Sequence, residues 1–116
     1  MSTFNISRLT VLFLFTSLFT LAQDSRGTVA GQVTDQQGSA ILGARVIIRN
    51  VETGIDTTLT TNQHGGYAAP LLIPGSYQIF VEHQGFKKFT RRGITVSVND
   101  NLQIDVKLEL GDVADH

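Results

Sequence analysis

The chain has 116 residues, with 9 Lys+Arg against 10 Asp+Glu and a formal charge of −1, which argues against a general nucleic-acid binder with its basic stripe. Hydrophobic residues make up 41% and charged residues 16%, a composition that folds and does not read as disordered, fibrous or linker-like. Cysteine is absent, which excludes a disulfide scaffold, thiolate metal ligation, a thiol nucleophile and a lipidated cysteine.

Residues 1–22 differ in kind from the rest. Arg8 precedes the apolar run from Leu9 to Phe19, and Thr20-Leu21-Ala22 closes it with small residues at the last and third-last positions. A basic start, a short apolar core and a small-x-small end make a secretory signal peptide, predicted as a helix removed after Ala22. The core is shorter than the roughly 20 residues of a bilayer-spanning helix. An uncleaved anchor or a buried helix is the other reading. Residues 23–27 read as a short linker.

From Gly27 onward the apolar period is two, not 3.6. Val29, Gly31 and Val33 begin the series. Val46 and Ile48 alternate with Arg45, Ile47 and Arg49, and Thr57, Leu59 and Thr61 make a weaker strand. Tyr77, Ile79 and Val81 alternate with Gln78, Phe80 and Glu82. Ile94, Val96 and Val98 follow, and then Leu102, Ile104, Val106, Leu108 and Leu110 on one face of a last strand. Turn signals separate these runs: Asp35-Gln36-Gln37-Gly38, Glu52-Thr53-Gly54, Asn62 to Gly66, Pro74-Gly75 as the centre of a type II turn, Gln84-Gly85, and Val98 to Asn101. About seven short strands with such spacing predict an all-β fold, an antiparallel β-sandwich over residues 28–110. One apolar face per strand puts two sheets face to face, about 10 Å apart.

The residues that open and punctuate this region carry a resemblance. Gly31-Gln32-Val33-Thr34-Asp35, then Gly38, then Gly43-Ala44-Arg45-Val46 resembles the start of carboxypeptidase regulatory-like domains. Thr61-Asn62-Gln63-His64-Gly65-Gly66-Tyr67, Leu72, Pro74-Gly75-Ser76-Tyr77 and Gly85-Phe86 extend it over nearly all of Gly27 to Leu110. The resemblance implies a transthyretin-like sandwich with Tyr67 and Tyr77 pointing inward and their hydroxyls reaching toward the edge. It also implies an exported, non-catalytic role, similar to the N-terminal extension of TonB-dependent outer-membrane receptors of the Oar-like kind. Residues 111–116 then read as a tail or as the start of a truncated following region. Two positions depart from the pattern. Leu42 stands where a proline is common, which loosens that turn, and Asn62 stands for a frequent aspartate, which removes a carboxylate that could help bind a cation.

The polar residues give little chemistry. His64, His83 and His116 form no zinc motif, no Gly-x-Ser-x-Gly elbow exists, and Gly65-Gly66 is followed by neither Lys-Ser/Thr nor a helix. Asn99, Asp100 and Asn101 could offer oxygen ligands to Ca²⁺ but read as turn chemistry. No catalytic residue, metal site or cofactor is expected. Lys87, Lys88, Arg91 and Arg92 are the densest charge cluster: an electrostatic patch for an acidic partner, glycan or lipid head group, or a solvated edge that discourages strand aggregation. Phe80 has outward parity and could stack on a sugar or dock a partner; the other reading is a ring covered by a neighbouring loop, or a strand near a corner where both faces are buried. The lack of Trp weakens the sugar case.

The sequence therefore predicts an interaction or structural module, exported to the periplasmic side of the outer membrane or secreted. Its expected partner is an envelope protein or the rest of a receptor chain, with no nucleic acid, and with membrane contact only through a barrel lying outside this chain. A starch-binding-like carbohydrate module is the alternative, and an enzyme is remote.

Overall fold

The computed structural model describes residues 26–111, so the expected signal peptide and the residues past Gly111 lie outside the described part. Eight strands form within it: β1 (Gly27–Thr34), β2 (Arg45–Asn50), β3 (Asp56–Thr60), β4 (Gly66–Leu72), β5 (Gly75–Glu82), β6 (Phe89–Val96), β7 (Asn101–Gln103) and β8 (Val106–Lys107). One sheet runs β3-β2-β5-β6, antiparallel throughout. The other runs β4-β1-β7, with β8 also paired to β1. The two hairpins, β2–β3 and β5–β6, stay in the first sheet, and the other links that join the sheets cross the sandwich.

Period-two alternation builds the core. Val29 and Val33 of β1, Tyr67, Ala69 and Leu72 of β4, and Ile104, Val106 and Leu108 face Val46, Ile48, Tyr77, Ile79, Val81, Ile94 and Val96 of the other sheet, all buried. Each fully buried aliphatic such as Ile48 or Ile79 contributes about 1.5–3 kcal/mol. Both tyrosines point inward. The Tyr67 hydroxyl donates to the Ile104 carbonyl and the Tyr77 hydroxyl to the Ile73 carbonyl, each satisfied at the rim of the core.

The sandwich is mostly, not wholly, antiparallel: β7 and β8 run parallel to β1. The alternating segment from Leu102 to Leu110 is therefore not one continuous strand. It breaks at Ile104-Asp105, where the Asp105 carboxylate accepts the Gln32 N–H at 3.0 Å in place of a ladder partner. Gly31 makes the break possible, because a Cβ there would lie 1.8 Å from the Ile104 carbonyl oxygen and 2.9 Å from the Tyr67 hydroxyl. Ile104, Val106 and Leu108 keep the inward face, but Leu110 is 67% exposed: the strand has ended and only an isolated bridge to Phe86 remains. Val98, past the end of β6, is exposed as well.

The turn at Asp35 forms as its residues suggest, with the Asp35 carboxylate accepting from Gln37 and Ser39 and the Gly38 N–H reaching the Asp35 carbonyl. Pro74-Gly75 does not form a type II turn. Gly75 has φ 159°, far from the roughly +80° that turn needs, and it opens β5 instead. The left-handed residue of this link is Leu71, φ 62°, in a bulge of β4 where Ala69 and Leu72 both turn inward.

Candidate functional site

The outer face of the β3-β2-β5-β6 sheet gathers the chemistry. Register places Arg45 opposite Glu82, Ile47 opposite Phe80 and Arg49 opposite Gln78, all on the solvent side. The Arg49 guanidinium lies 5.0 Å from the Phe80 ring centroid and the Lys88 ammonium 5.4 Å from it, two cation–π contacts on one ring. Arg49 also grips Asp56 through two hydrogen bonds, 2.7 and 3.0 Å. That bonding holds the Asp56 carboxyl below its ordinary range and the Arg49 guanidinium above its own. Lys88 pairs with Glu82 at 3.4 Å.

The expected site residues split over this architecture. Phe80 is half-buried on the outer face, as its parity implies, and Lys88 stands over it. Lys87 reaches instead toward Glu109, at 4.0 Å, where the β5–β6 turn meets the chain after β8. Arg91 lies opposite Ile79, on the core-facing parity of the edge strand β6. Arg92 belongs to a bulge completed by Gly93, φ 72°. Among the described residues neither Arg91 nor Arg92 joins an ion pair. Arg45 and Arg49 belong to the face and were not singled out in the sequence. Their outward parity was readable there, but the pairing of β2 with β5 that sets them beside Phe80 was not.

An open groove of about 750 Å³ continues from this face to the β5–β6 turn, bounded by Arg45, Glu82, His83, Phe86 and Lys88. The His83 ring meets Phe86 edge-on at 5.7 Å, and its Nδ1 lies 3.1 Å from the Gln84 carbonyl oxygen. His64 sits exposed in the β3–β4 link and acts there through its backbone.

Asn62 closes that link. Its Oδ1 accepts from the His64 and Gly66 N–H groups, and its own N–H donates to the Gly66 carbonyl. The position thus does turn-closing work that an amide oxygen performs without a carboxylate. The Asp100 carboxylate likewise caps Ser97 N–H at 2.7 Å, while Asn99 adopts φ 60°. Among the described residues no group of three His, Cys, Asp or Glu is arranged to hold a metal ion. Burial pushes the Tyr67 hydroxyl up to about 12, with the Asp105 charge adding and the Arg91 charge opposing. That group serves the fold.

This sandwich has counterparts among known proteins. The chain is 30% identical over 93 residues to the TonB-dependent transporter Oar of Myxococcus xanthus, a stretch that covers 76% of this chain and 9% of the transporter. It thus spans a small fraction of that protein's length. Among solved structures it superposes on the Bacillus anthracis TIE protein with a TM-score of 0.64 at 19% identity, over 78% of this chain and 19% of that one. A protein of Bacteroides uniformis described as carbohydrate-binding gives 0.59 at 20% identity, over 75% of this chain and 42% of that one. Likeness at that identity is a likeness of fold. Residues 28–109 match the carboxypeptidase regulatory-like domain, and the chain belongs to that family.

Proposed function

We propose that the chain is an exported module of the bacterial cell envelope, the N-terminal accessory domain of a TonB-dependent outer-membrane receptor, working at the periplasmic side through protein contact. The 30% identity to a transporter of that class, over three quarters of the chain, carries the reading. The contact surface is the Phe80-centred face: Arg49 and Lys88 over the ring, with Lys87 in the neighbouring β5–β6 turn and Arg91 and Arg92 on the edge strand β6 flanking it, offered to an acidic surface of an envelope protein or of the following receptor region. Arg45 extends that surface, and its cations outnumber the carboxylates of Glu82 and Asp56. Glycan binding has weaker support, because a sugar ring stacking on Phe80 would compete with Arg49 and Lys88 for the aromatic face.

Fractionating the source cells and probing the envelope with an antibody against residues 49–88 tests the reading. A large, heat-modifiable band in the outer membrane is the expected result. A small soluble band of the size of residues 23–116 would contradict it.

A further inference from the structure

The outer strands of the two sheets are not equally closed. On β4, the Gly66 N–H and C=O are taken by Asn62 and Pro70 has no N–H to offer. On β6, the Arg92-Gly93 bulge breaks the edge and Arg91 puts a charge on the core-facing parity. The strands β7 and β8 are three and two residues long, too short to template a neighbour.

Strand β3 carries none of these devices. Asp56-Thr57-Thr58-Leu59-Thr60 contains no proline, no bulge and no basic residue, and Arg49 already pairs its single acid. Asn50 N–H donates to the Ile55 carbonyl and Thr61 N–H to the Ala44 carbonyl. By antiparallel alternation, residues 55, 57, 59 and 61 turn their backbone toward β2, and Asp56, Thr58 and Thr60 turn theirs away.

Two open hollows lie in the seam between this edge and β4. One, about 280 Å³, has Ile55, Leu71, Leu72, Ile73 and Tyr77 as its apolar walls, with Thr57 beside them and Arg26, Asn50 and Thr53 at its polar border. The other, about 430 Å³, is bordered by Leu59, Thr60, Asn62, Gly66 and Tyr67. The alternate residues Ile55, Thr57 and Leu59 thus line the seam along its length. At the first hollow, Ile55, Leu71 and Ile73 are 66%, 59% and 47% exposed. Leu71 is held there at a φ of 62°, a conformation that a bulky residue rarely adopts.

We infer that β3 is a strand-acceptor edge: an extended segment of a partner protein, alternating apolar with polar residues, pairs with the free backbone groups of Asp56, Thr58 and Thr60 and seats an apolar side chain in the hollow framed by Ile55, Leu71 and Ile73. Main-chain hydrogen bonds supply affinity in this mode, and the hollows supply selectivity. A second copy of the chain is the poorer occupant. Full-length antiparallel pairing of β3 with β3 sets Thr61 opposite Ile55, and Thr61 is buried in its own sheet with its hydroxyl bonded to Ala44 and Ile41, so a second copy offers no apolar side chain to the hollow. The inference goes beyond the receptor reading, since it uses an edge remote from β6 and holds whichever larger protein contains the module.

The test is residue-resolved amide exchange on the full chain, titrated to millimolar with a synthetic peptide that alternates leucine with threonine between terminal lysines. Protection of the Asp56, Thr58 and Thr60 amides by at least about tenfold is expected. Thr58→Pro removes a free-edge N–H without touching the β2–β3 ladder and weakens binding about tenfold. Leu71→Gly removes one wall of the hollow while relieving the left-handed backbone, so it keeps the fold and also weakens binding. No protection at β3, protection at β4 or β6 instead, or binding indifferent to both variants would overturn the inference. So would β3 protection that grows with the concentration of the chain alone, which assigns the edge to self-pairing.

Discussion

The two sheets are held together in different ways. The β3-β2-β5-β6 sheet is an unbroken antiparallel ladder apart from one glycine-relieved bulge, and along its central strands β2 and β5 the residues alternate between core and solvent. The β4-β1-β7/β8 sheet relies on side chains where the ladder fails: the Asp105 carboxylate on Gln32 N–H, the Tyr67 hydroxyl on the Ile104 carbonyl, Asn62 on Gly66, and the bare Cα of Gly31 beneath the break. The regular sheet carries the two proposed contact surfaces, the Phe80 face and the open β3 edge. The irregular sheet is the support, and single substitutions should injure it more.

The largest effect is expected at Gly31. Gly31→Ala drives a methyl group into the Ile104 carbonyl, backbone that cannot swing aside, and costs more than about 3 kcal/mol by denaturant unfolding. Tyr67→Phe leaves that buried carbonyl without its donor and costs about 1–3 kcal/mol at neutral pH. The same residue gives a pH signature. Its hydroxyl is raised to about 12 in the fold against an ordinary value of about 10. The protonated group therefore contributes fully below pH about 10, and that contribution is lost as pH rises through about 12. Tyr67→Phe should remove this alkaline loss from the stability profile.

Asn62→Ala unties two N–H groups of the β3–β4 link, and a loss of about 1–2 kcal/mol is expected in the same assay. The regular sheet supplies the contrast. Arg49→Ala deletes an exposed, solvent-screened bidentate pair and a cation–π contact, and a smaller loss than that of Asn62→Ala is expected in the same assay. An Arg49→Ala cost equal to that of Tyr67→Phe would break the comparison between the sheets.

The regular sheet was largely legible in the sequence. Val46, Ile48, Tyr77, Ile79, Val81, Ile94 and Val96 announce their burial by parity, because an uninterrupted ladder keeps period two. The irregular sheet was legible only in part. Ile104, Val106 and Leu108 show the right face, yet nothing local distinguishes one long antiparallel strand from two short parallel ones. That choice depends on how β1 meets them across Gly31, a contact between residues far apart in the chain. The bulge at Leu71 was illegible for a plainer reason: the left-handed position holds leucine, while the adjacent Pro74-Gly75 advertises a turn that does not form. At the candidate site, the outward placement of Phe80 was legible from its parity. Arg45 and Arg49 were missed because strand neighbours come from tertiary pairing, which a single sequence does not print.

The most direct test of this division of labour is hydroxyl-radical footprinting of residues 26–111, free and within the intact envelope. Protection in the envelope at Ile47, Ile55 and Phe80, with Gln32, Pro70 and Gln103 on the other sheet as reactive as in the free chain, is the expected result. Protection confined to Gln32, Pro70 and Gln103 would mean that the irregular sheet makes the contact, and the roles assigned to the two sheets would have to be exchanged.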